Sequence, residues 1–357
     1  MPPPTTLLPF PSVRQLPAGS YDRLPVTRLG IRSLNPDPFV GGPAGFRHLT
    51  IGRQGGSDLC RGICGLLPAT AFADGHILPH EQTLPARLKV QTDVYRRDRG
   101  AIGKPVLLTT PSLAGWWATA GRSHQPTGPT LQYTGVNQDY LLREYAPRPG
   151  GGAPLPALPH PLVIADGHHR AATFARLATA RQDAAFAHVP VVIVGADELR
   201  IGTFLRVIQQ LDLPPAELER RLAPFFELRP LDQARIPQRS GEWLLSRRGR
   251  HRSLRRRGGP APATTDAGWL NQTVLPTVFG ITDTRNDPRF LSLDPPPRPG
   301  GVLAIPDELY DPILLLGFPL TREAFFAEVG AGRTLPPKST RFEPRVPSGL
   351  LVWAPPE

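Results

Sequence analysis

Residues 162–180 limit the possible folds of this chain more than any other stretch, because an apolar run passes into a helical pattern through a tight polar turn. The run from Leu162 to Ala165 follows two prolines, Pro159 and Pro161, and predicts a buried strand that begins abruptly. The residues after the turn place alanines and Phe174 on one face, without an internal glycine or proline, which predicts a helix. The sequence therefore predicts a strand–turn–helix unit that organises the rest of the chain.

The turn of this unit holds residue types that suit phosphate and metal chemistry. A glycine at its second position permits a tight turn, and the backbone N–H groups at a helix start are a natural phosphate site. A carboxylate, two imidazoles and a guanidinium can bind a metal ion, donate to phosphoryl oxygens and neutralise developing charge. An aspartate N-cap followed by exposed histidines is the structural alternative, and the turn alone does not decide between them. The turn consists of Asp166, Gly167, His168, His169 and Arg170.

Length, composition and charge narrow the class of protein. The 357 residues allow two domains or one core with a large elaboration, and 46 prolines and 35 glycines predict many turns and long loops. The formal net charge of +11 favours a nucleic-acid partner, but seven arginines within residues 247–257 supply most of it. That segment has no interleaved aromatic residues and no helix-turn-helix or zinc spacing. We therefore predict a charged, solvated hairpin around Gly249 rather than a nucleic-acid surface.

Cysteine use and hydropathy predict where the protein functions. The two cysteines, Cys60 and Cys64, have a spacing that suits neither a metal site nor the disulfide framework of a secreted protein. The chain start, Met1 to Pro4, lacks the basic and apolar parts of a signal peptide. No apolar run approaches the ~18 residues that a membrane span needs. We therefore expect a cytoplasmic protein without a membrane partner.

Hydrophobic periodicity and turn residues predict further elements. Residues 1–45 are expected to form an irregular N-terminal wrap, and the Gly- and Pro-rich region 111–160 an insertion or a lid. One helix is expected to begin at Pro215 and another to end at Gly280, the preferred positions of proline and glycine. The predicted strands lie within 46–67, 104–109, 162–165, 189–194, 202–208, 242–246, 252–255, 302–305 and 313–316. The predicted helices lie within 86–99, 171–180, 216–226, 269–279 and 321–329.

Two further polar strings hold candidate functional residues. Glu81 follows His80 near a predicted helix start, where a carboxylate that favours the helix dipole is the structural alternative to a functional role. Lys338, Ser339 and Thr340 offer an ammonium group and two hydroxyls, which suit an anion. This second string is not a Walker A motif, because the glycine pattern before Lys338 is missing.

Several strings, taken in order, resemble the large prokaryotic family known as domain of unknown function 1015. They are also similar to the free serine kinases, which belong with that family in the ParB/sulfiredoxin-like superfamily. The resemblance runs from about Gly75 to Leu351, although Ala171 and Ala172 stand where the family usually has an aromatic residue and a glutamate. The matching strings are residues 77–83, 164–170, 280–283, 335–340 and 348–350.

The resemblance implies a fold of the α/β class whose sheet is mixed, as in α+β proteins. It implies a ParB/sulfiredoxin-like nucleotide-binding core that, with the N-terminal wrap, occupies residues 1–205. Residues 206–357 would then form a C-terminal α/β domain, and the tail Pro337-Lys338-Ser339-Thr340 would close on the site.

The resemblance also implies roles for the candidate residues. By analogy with the free serine kinases, Glu81 is the catalytic base for the serine hydroxyl, His80 contacts the substrate and Asp166 is a metal ligand. In-line phosphoryl transfer mainly requires positioning and charge neutralisation, which Arg170, Lys338 and Mg²⁺ would supply. The implied cofactors are Mg²⁺ and ADP or ATP. The implied catalytic residues are Glu81, Asp166, His168, His169 and Arg170. The residues implied to bind nucleotide or phosphate are Gly167, Lys338, Ser339, Thr340 and Arg341.

The implied function is that of a small-molecule phosphotransferase, with nucleotide-dependent phosphorylation of free serine or a similar hydroxylated amino acid. The same groups would serve a phosphoserine phosphatase or a phosphate exchange. A non-catalytic nucleotide-binding regulator, or a ParB-like nucleic-acid binder, is the alternative of a different class, although no DNA-reading module is recognisable. Sulfinic acid reduction of the sulfiredoxin type is set aside, since it requires a thiol in the turn and none lies between Asp166 and Arg170. The sequence leaves the oligomeric state open.

Overall fold

The computed structural model divides the chain into two compact units. The first comprises Met1–Arg200, Val329–Gly332 and Phe342–Glu357, and the second Ile201–Glu328 and Arg333–Arg341. The division into domains at residue 205 stays a prediction, because compactness alone does not show which segments fold independently. The residues that the structure describes are 5–11, 13–15, 19–20, 40–42, 44–53, 59–97, 104–134, 138–150, 153–181, 184–258, 265–294 and 311–353.

A mixed sheet forms the centre of the first unit. The strands of this unit, numbered in chain order, are β1 (Val13–Gln15), β2 (Gly19–Ser20), β3 (Val40–Gly42), β4 (Phe46–Arg53), β5 (Leu59–Pro68), β6 (Ile77–Leu78), β7 (Val106–Thr110), β8 (His124–Thr134), β9 (Gln138–Pro147), β10 (Leu162–Asp166) and β11 (His188–Gly195). The nine-stranded sheet has the order β2-β8-β9-β4-β5-β11-β7-β10-β6, and β1 pairs with β3. The pairs β2–β8, β7–β11 and β6–β10 are parallel, and the other neighbours are antiparallel. The predicted α/β class with a mixed sheet is confirmed.

Helix packing fixes the position of the predicted turn in the first unit. The α-helices of this unit are α1 (Thr70–Ala73), α2 (Pro85–Arg97), α3 (Ala114–Ser123) and α4 (His168–Arg181). Helix α4 contacts α1 and α2, and its fully buried Phe174 has ring centroids 5.3 Å from Tyr95 of α2 and 5.7 Å from Phe186. Burying a side chain of this size stabilises a fold by about 1.5–3 kcal/mol. Phe174 therefore anchors the helix whose first residues belong to the turn.

Most of region 111–160 is regular structure, so the prediction of a long Gly- and Pro-rich loop is wrong, and its role as an insertion or a lid stays a prediction. Helix α3 comes first, and β8 and β9 then form an antiparallel hairpin that joins the sheet through β4. The register of β8 against β9 shifts between Thr127 and Leu131, around Gly128 and Pro129. Such an irregularity accommodates residues that weaken the strand pattern in the sequence.

An antiparallel sheet of six strands forms the centre of the second unit. The strand β12 (Arg200–Gly202) precedes it, and its own strands are β13 (Leu205–Ile208), β14 (Phe226–Leu231), β15 (Glu242–Arg247), β16 (Arg250–Arg256), β17 (Phe290–Leu293) and β18 (Ile313–Gly317). The order is β14-β16-β15-β18-β13-β17. The helices of this part of the chain are α5 (Pro215–Leu222), α6 (Asp266–Trp269), a π-helical turn (Leu270–Val274), α7 (Leu275–Phe279) and α8 (Arg322–Gly330). The strand β19 (Arg341–Glu343) follows them, and the ends of α8 and β19 belong to the first unit.

The helix boundaries read from proline and glycine are confirmed. Helix α5 begins at Pro215, and α7 ends at Gly280, whose left-handed φ of 66° is the conformation that glycine adopts most easily. The predicted strand 302–305 and most of the N-terminal wrap lie outside the described residues. Among the residues that are described, no helix combines the length and the apolar character that crossing a membrane requires.

The arginine-rich segment forms the predicted hairpin, but one of its strands is buried. Strand β15 lies between β16 and β18, and the side chain of Arg247 at its end is 7% exposed. Arg247 and Arg248 both bind the carboxylate of Asp311, at 2.8 and 2.6 Å, and Arg252 binds Glu219 at 3.1 Å. The prediction of a solvated hairpin is therefore wrong for β15. Ion pairs within the second unit neutralise arginines whose partners are not recognisable from the sequence.

Thr265→Ala should lower the free energy of unfolding of the second unit by about 1 kcal/mol. Thr265 precedes α6, and its Oγ1 accepts a hydrogen bond from the amide of Gly268 at 3.1 Å. Alanine leaves that N–H without its acceptor. Urea unfolding followed by tryptophan fluorescence measures the effect. Thr265→Ser keeps the hydroxyl and is the control; an equal loss of stability in the serine variant would show that the cap bond is not responsible.

Candidate functional site

Two neighbouring parallel strands bring the predicted strings of the first unit together. Strand β10 pairs with β6 in the register Leu162 to Ile77 and Val163 to Leu78. His80 follows the end of β6 by two residues, as His168 follows the end of β10. The carboxyl ends of parallel strands meet at the same edge of a sheet, which is a common place for ligand sites. The structure thus places the His80–Glu81 string against the turn that the sequence singles out.

The turn has the backbone geometry that its glycine predicts. Gly167 has a φ of +102°, and the amide of Ala171 donates to its carbonyl oxygen at 3.0 Å to begin α4. The guanidinium of Arg170 folds back over the glycine, so that a β-carbon at residue 167 would lie 2.5 Å from its Nη2. The first amides of α4 have no acceptor one turn earlier within the helix. Backbone N–H donors and the guanidinium of Arg170 therefore lie together at this turn.

A cluster of two cations and one carboxylate lies at the start of α4. Asp166 Oδ2 is 2.9 Å from Lys104 Nζ and 3.3 Å from Arg170 Nη2, which also donates to the carbonyl of Pro105 at 3.2 Å. Burial raises the pKa of Asp166, but the charges of Arg170 and Lys104 outweigh burial and hold that pKa well below its usual range. Burial also lowers the pKa of Lys104. With these groups ionised the cluster carries one net positive charge, which suits an anion beside the helix start.

Lys104 is a site residue that the sequence reasoning missed. It lies directly before β7, the strand between β11 and β10. A lysine before a predicted strand is common in proteins, so the sequence alone gave no reason to connect it with a turn about 60 residues later. Strand order, which the sequence did not show, supplies that connection.

Backbone amides hold both histidines of the turn. The amide of His80 lies 3.3 Å from His168 Nε2, and the amide of Leu84 donates to His169 Nε2 at 3.0 Å. His80 itself is 2% exposed, and its Nδ1 lies 2.6 Å from the carbonyl oxygen of Ile164. Because a carbonyl accepts and an amide donates, these partners place the ring protons on Nδ1 of all three histidines.

The buried histidines are held neutral. Burial lowers the pKa of His80 to about 4, with the Ile164 carbonyl and Asp166 opposing the shift. Burial and then the neighbouring His80 lower the pKa of His168 well below its ordinary value, and the two ring centroids are 4.4 Å apart. Neutral imidazoles at pH 7 act as hydrogen-bond partners or metal ligands rather than as positive charges.

Three side chains of this edge could share one metal ion. Ligand atoms of His80, Glu81 and His168 all lie within 4.8 Å of one another. The family resemblance implies a metal at Asp166 instead, and that assignment stays a prediction. A resident Mg²⁺ fits poorly at Asp166, because the ion would share a single carboxylate with Lys104 and Arg170.

The stability of the protein should decrease as the pH falls from about 6.5 to about 4, because folding keeps His80 neutral. Its pKa of 6.5 in the unfolded chain falls to about 4 on folding. Between these values the unfolded chain binds the additional proton, so a lower pH favours unfolding, and the full contribution is present above pH 6.5. Asp166 has a lowered pKa in the folded protein, so its protonation destabilises the fold only at pH values below those at which His80 acts.

Urea unfolding at several pH values, on protein freed of metal ions with a chelator, measures this dependence. His80→Gln should make the change between pH 6.5 and 4 smaller, while the buried His168 keeps its own contribution. His76→Gln, a substitution outside the buried pair, should keep the wild-type change. Equal curves for His80→Gln and the wild type would contradict the assignment.

The string from Lys338 to Arg341 belongs to the second unit and forms a tight turn there. Lys338 has a φ of 60°, and both the amide and Oγ of Ser339 donate to the carbonyl of Pro336, at 3.2 and 2.7 Å. The buried Arg206 donates from Nη2 to the carbonyl of Lys338 at 2.9 Å. This strand-borne arginine fixes the backbone of the turn.

The side chains of this second turn have partners within the second unit. Lys338 Nζ lies 5.1 Å from the ring centroid of Phe204, and Arg341 Nε donates to Asp294 at 3.0 Å. Thr340 is nearly buried. The convergence of this turn with the site of the first unit stays a prediction.

A comparison with protein families assigns the chain to one of them. The family model described as "Protein of unknown function (DUF1015)" matches residues 48–273, which is more than half of the chain. The chain therefore belongs to this family, as the resemblance of its strings predicts. No curated protein matches the sequence.

Solved structures resemble the chain at low identity. SbnI with a C-terminal truncation from Staphylococcus aureus is 16% identical, with a TM-score of 0.43 and coverage of 80% of this chain and 85% of that one. A free serine kinase in complex with AMP is 15% identical, with a TM-score of 0.39 and coverage of 82% and 90%. A conserved hypothetical protein from Pyrococcus furiosus is 15% identical, with a TM-score of 0.36 and coverage of 80% and 93%. Likenesses this distant do not define what the present chain binds, and the superfamily stays a prediction.

Proposed function

We propose that the protein is a nucleotide-dependent phosphotransferase that phosphorylates a small hydroxylated acceptor, with free serine as the first candidate. The observations that carry this proposal are the cationic cluster at the start of α4 and the carboxylate of Glu81 near His168 of the same turn. Lys104 and Arg170 converge on Asp166, and Glu81 has a carboxylate oxygen within 4.8 Å of a ring nitrogen of His168. Phosphoryl transfer to a hydroxyl requires these two elements, a phosphate site and a base.

The phosphate groups of the nucleotide would bind at the helix start. The first amides of α4 supply backbone donors, and Arg170 and Lys104 supply charge-assisted ones. Asp166 would position the two cations, since it already binds one atom of each. A preformed set of donors stabilises the charge on the migrating phosphoryl group without reorganisation during the reaction.

Glu81 would remove the proton of the acceptor hydroxyl. The hydroxyl oxygen then forms a bond to phosphorus as the bond from phosphorus to the nucleotide oxygen breaks, and the nucleotide leaves with that electron pair. The proton ends on the Glu81 carboxylate. His80 is buried and its Nδ1 lies 2.6 Å from the carbonyl oxygen of Ile164 on β10, so its proposed contribution is to position the acceptor beside Glu81. His169 is the second residue of α4, and its Nε2 accepts a hydrogen bond from the amide of Leu84. In the proposed reaction this contact would hold the first turn of the helix in place.

Lys338, Ser339, Thr340 and Arg341 of the second unit are also proposed to bind phosphate groups of the nucleotide. Lys338→Ala should therefore weaken nucleotide binding without changing the phosphate site of the first unit.

Phosphorus NMR of the purified protein tests the proposal. The protein is incubated with ADP or ATP, with and without Mg²⁺, and with a panel of free amino acids that contains serine, threonine and homoserine. A new phosphoester resonance that appears with one acceptor supports the proposal. Phosphoserine supplied with AMP or ADP tests the reverse direction, so a phosphatase or an exchange activity is recognised by the loss of phosphoserine. Nucleotide binding by calorimetry without any turnover would contradict the phosphotransferase and leave a nucleotide-binding regulator.

A further inference from the structure

We infer that His80, Glu81 and His168 form a binding site for a divalent transition-metal ion of the zinc type. The inference goes beyond the proposed phosphotransferase and does not depend on it. Two imidazoles and one carboxylate with an open position form a donor set that proteins use for zinc and for related first-row metals. The three ligand atoms lie within 4.8 Å of one another.

The fold itself brings the three ligands together. His80 and Glu81 follow β6, His168 follows β10, and these two strands are parallel neighbours. Ligands from two separate segments on adjacent strand ends are held by the sheet rather than by a flexible loop. Both imidazoles are buried, at 2% and 8% exposure, so that a bound ion would be shielded from water on that side.

His80 has the outer hydrogen bond that metal-binding histidines usually have. Its Nδ1 lies 2.6 Å from the carbonyl oxygen of Ile164, on the strand β10. A backbone carbonyl at one ring nitrogen fixes the ring orientation and the tautomer, and it places the lone pair on the other nitrogen, Nε2. The structure therefore orients His80 as a ligand through Nε2.

His168 and Glu81 complete the set with small movements. The amide of His80 lies 3.3 Å from His168 Nε2, a long hydrogen bond that a metal ion can replace. Zinc ligands lie about 2.0–2.2 Å from the ion in a tetrahedron, so the ligand atoms must approach one another to roughly 3.3–3.6 Å. The half-buried side chain of Glu81 can supply this approach by rotation.

The donor set selects against magnesium. Mg²⁺ binds oxygen ligands and keeps several waters, whereas imidazole nitrogens suit zinc, cobalt, nickel and iron. The carboxylate of Asp166, two residues before His168, is bound by Lys104 and Arg170. A metal ion bound to Glu81 would also prevent this carboxylate from acting as the proposed base. The metal-loaded form would then be inactive as a phosphotransferase, and this consequence alone rests on the proposed function.

Cobalt titration of the metal-free full-length protein tests the site. Co²⁺ is added in the absence of nucleotide and amino acid, and the visible absorption of the bound ion is recorded. One Co²⁺ per chain should bind, Zn²⁺ should displace it stoichiometrically, and millimolar Mg²⁺ should not. His80→Asn, Glu81→Gln and His168→Asn should each weaken Co²⁺ binding by about 100-fold or more, since even outer partners of metal ligands contribute 10–100-fold.

Two control variants separate this site from its surroundings. His169→Asn removes the adjacent imidazole of the same turn, and Asp93→Asn removes an exposed carboxylate of α2; both should bind Co²⁺ like the wild type. Circular dichroism confirms that each variant is folded, and Glu81→Gln keeps the two buried imidazoles if a histidine variant fails to fold. Absence of a stoichiometric Co²⁺ spectrum, or an equal loss in His169→Asn and Glu81→Gln, would overturn the inference. Because no nucleotide is present, this outcome is independent of the test for phosphoryl transfer.

Discussion

Glu81→Gln should lower the rate of phosphoryl transfer to the hydroxyl acceptor by about 10²–10⁴-fold, because an amide cannot accept the hydroxyl proton. Nucleotide affinity should stay nearly unchanged, since Lys104, Arg170 and the first amides of α4 are not altered. Initial rates from phosphorus NMR and affinities from calorimetry measure the two quantities separately. A loss confined to the rate is typical of a group that acts in the transition state rather than in binding.

A matched substitution on the same unit serves as the control for this prediction. Asp93→Asn also converts a carboxylate into an amide, on the exposed face of α2, where the side chain is 64% exposed. It should leave both rate and affinity unchanged. An active Glu81→Gln variant would remove Glu81 from the role of base. Loss of nucleotide binding in that variant would make Glu81 a binding residue instead.

The strand–turn–helix unit was predictable because every local signal agrees with the fold. The apolar run becomes β10, the glycine adopts a φ of +102°, and the apolar face of the following helix carries Phe174 into the core. Local propensity and tertiary packing favour the same structure there, which is the usual condition for a sequence to predict it. The Arg247–Asp311 ion pair shows the opposite case, since its partners lie 64 residues apart.

The hairpin of β8 and β9 was missed because its position in the sheet tolerates residues that are unusual in strands. Strand β8 contains Pro126, Gly128 and Pro129, and β2 pairs with it at Tyr133 and Thr134. Within the described residues, the Pro-containing part of β8 therefore has β9 as its one sheet neighbour. An edge position removes the need for hydrogen bonds that proline cannot donate. Composition indicated a loop, whereas the tertiary position allows a strand.

The site of the first unit was partly predictable, and the missing part depends on strand order. The strings at residues 80–81 and 166–170 could be named from the sequence, and their proximity follows from the parallel pairing of β6 and β10. Lys104 and the tautomers of the histidines could not be named, because they depend on neighbours from other strands and on amides such as that of Leu84. Residue types indicate which chemistry a site can perform, but pairing decides which residues meet.

Gly167→Ala should weaken nucleotide binding by about 10–100-fold and lower the free energy of unfolding by about 1–3 kcal/mol. The φ of +102° is rarely adopted by residues with a β-carbon, and such strain typically costs 1–3 kcal/mol. The added carbon would lie 2.5 Å from Arg170 Nη2 and 2.9 Å from its Cζ, so the guanidinium must move. A lost charge-assisted hydrogen bond contributes roughly 1.5–3 kcal/mol, which corresponds to the expected loss of affinity.

Gly115→Ala is the matched control for this turn. Gly115 lies in α3, where a β-carbon meets no atom within 4 Å, and alanine favours a helix over glycine by up to about 1 kcal/mol. This variant should be as stable as the wild type or more so, and it should bind nucleotide equally well. Calorimetry and urea unfolding of both variants provide the comparison. Wild-type affinity in Gly167→Ala would show that phosphate does not bind at the start of α4, because the added β-carbon disturbs both the backbone of the turn and the guanidinium of Arg170.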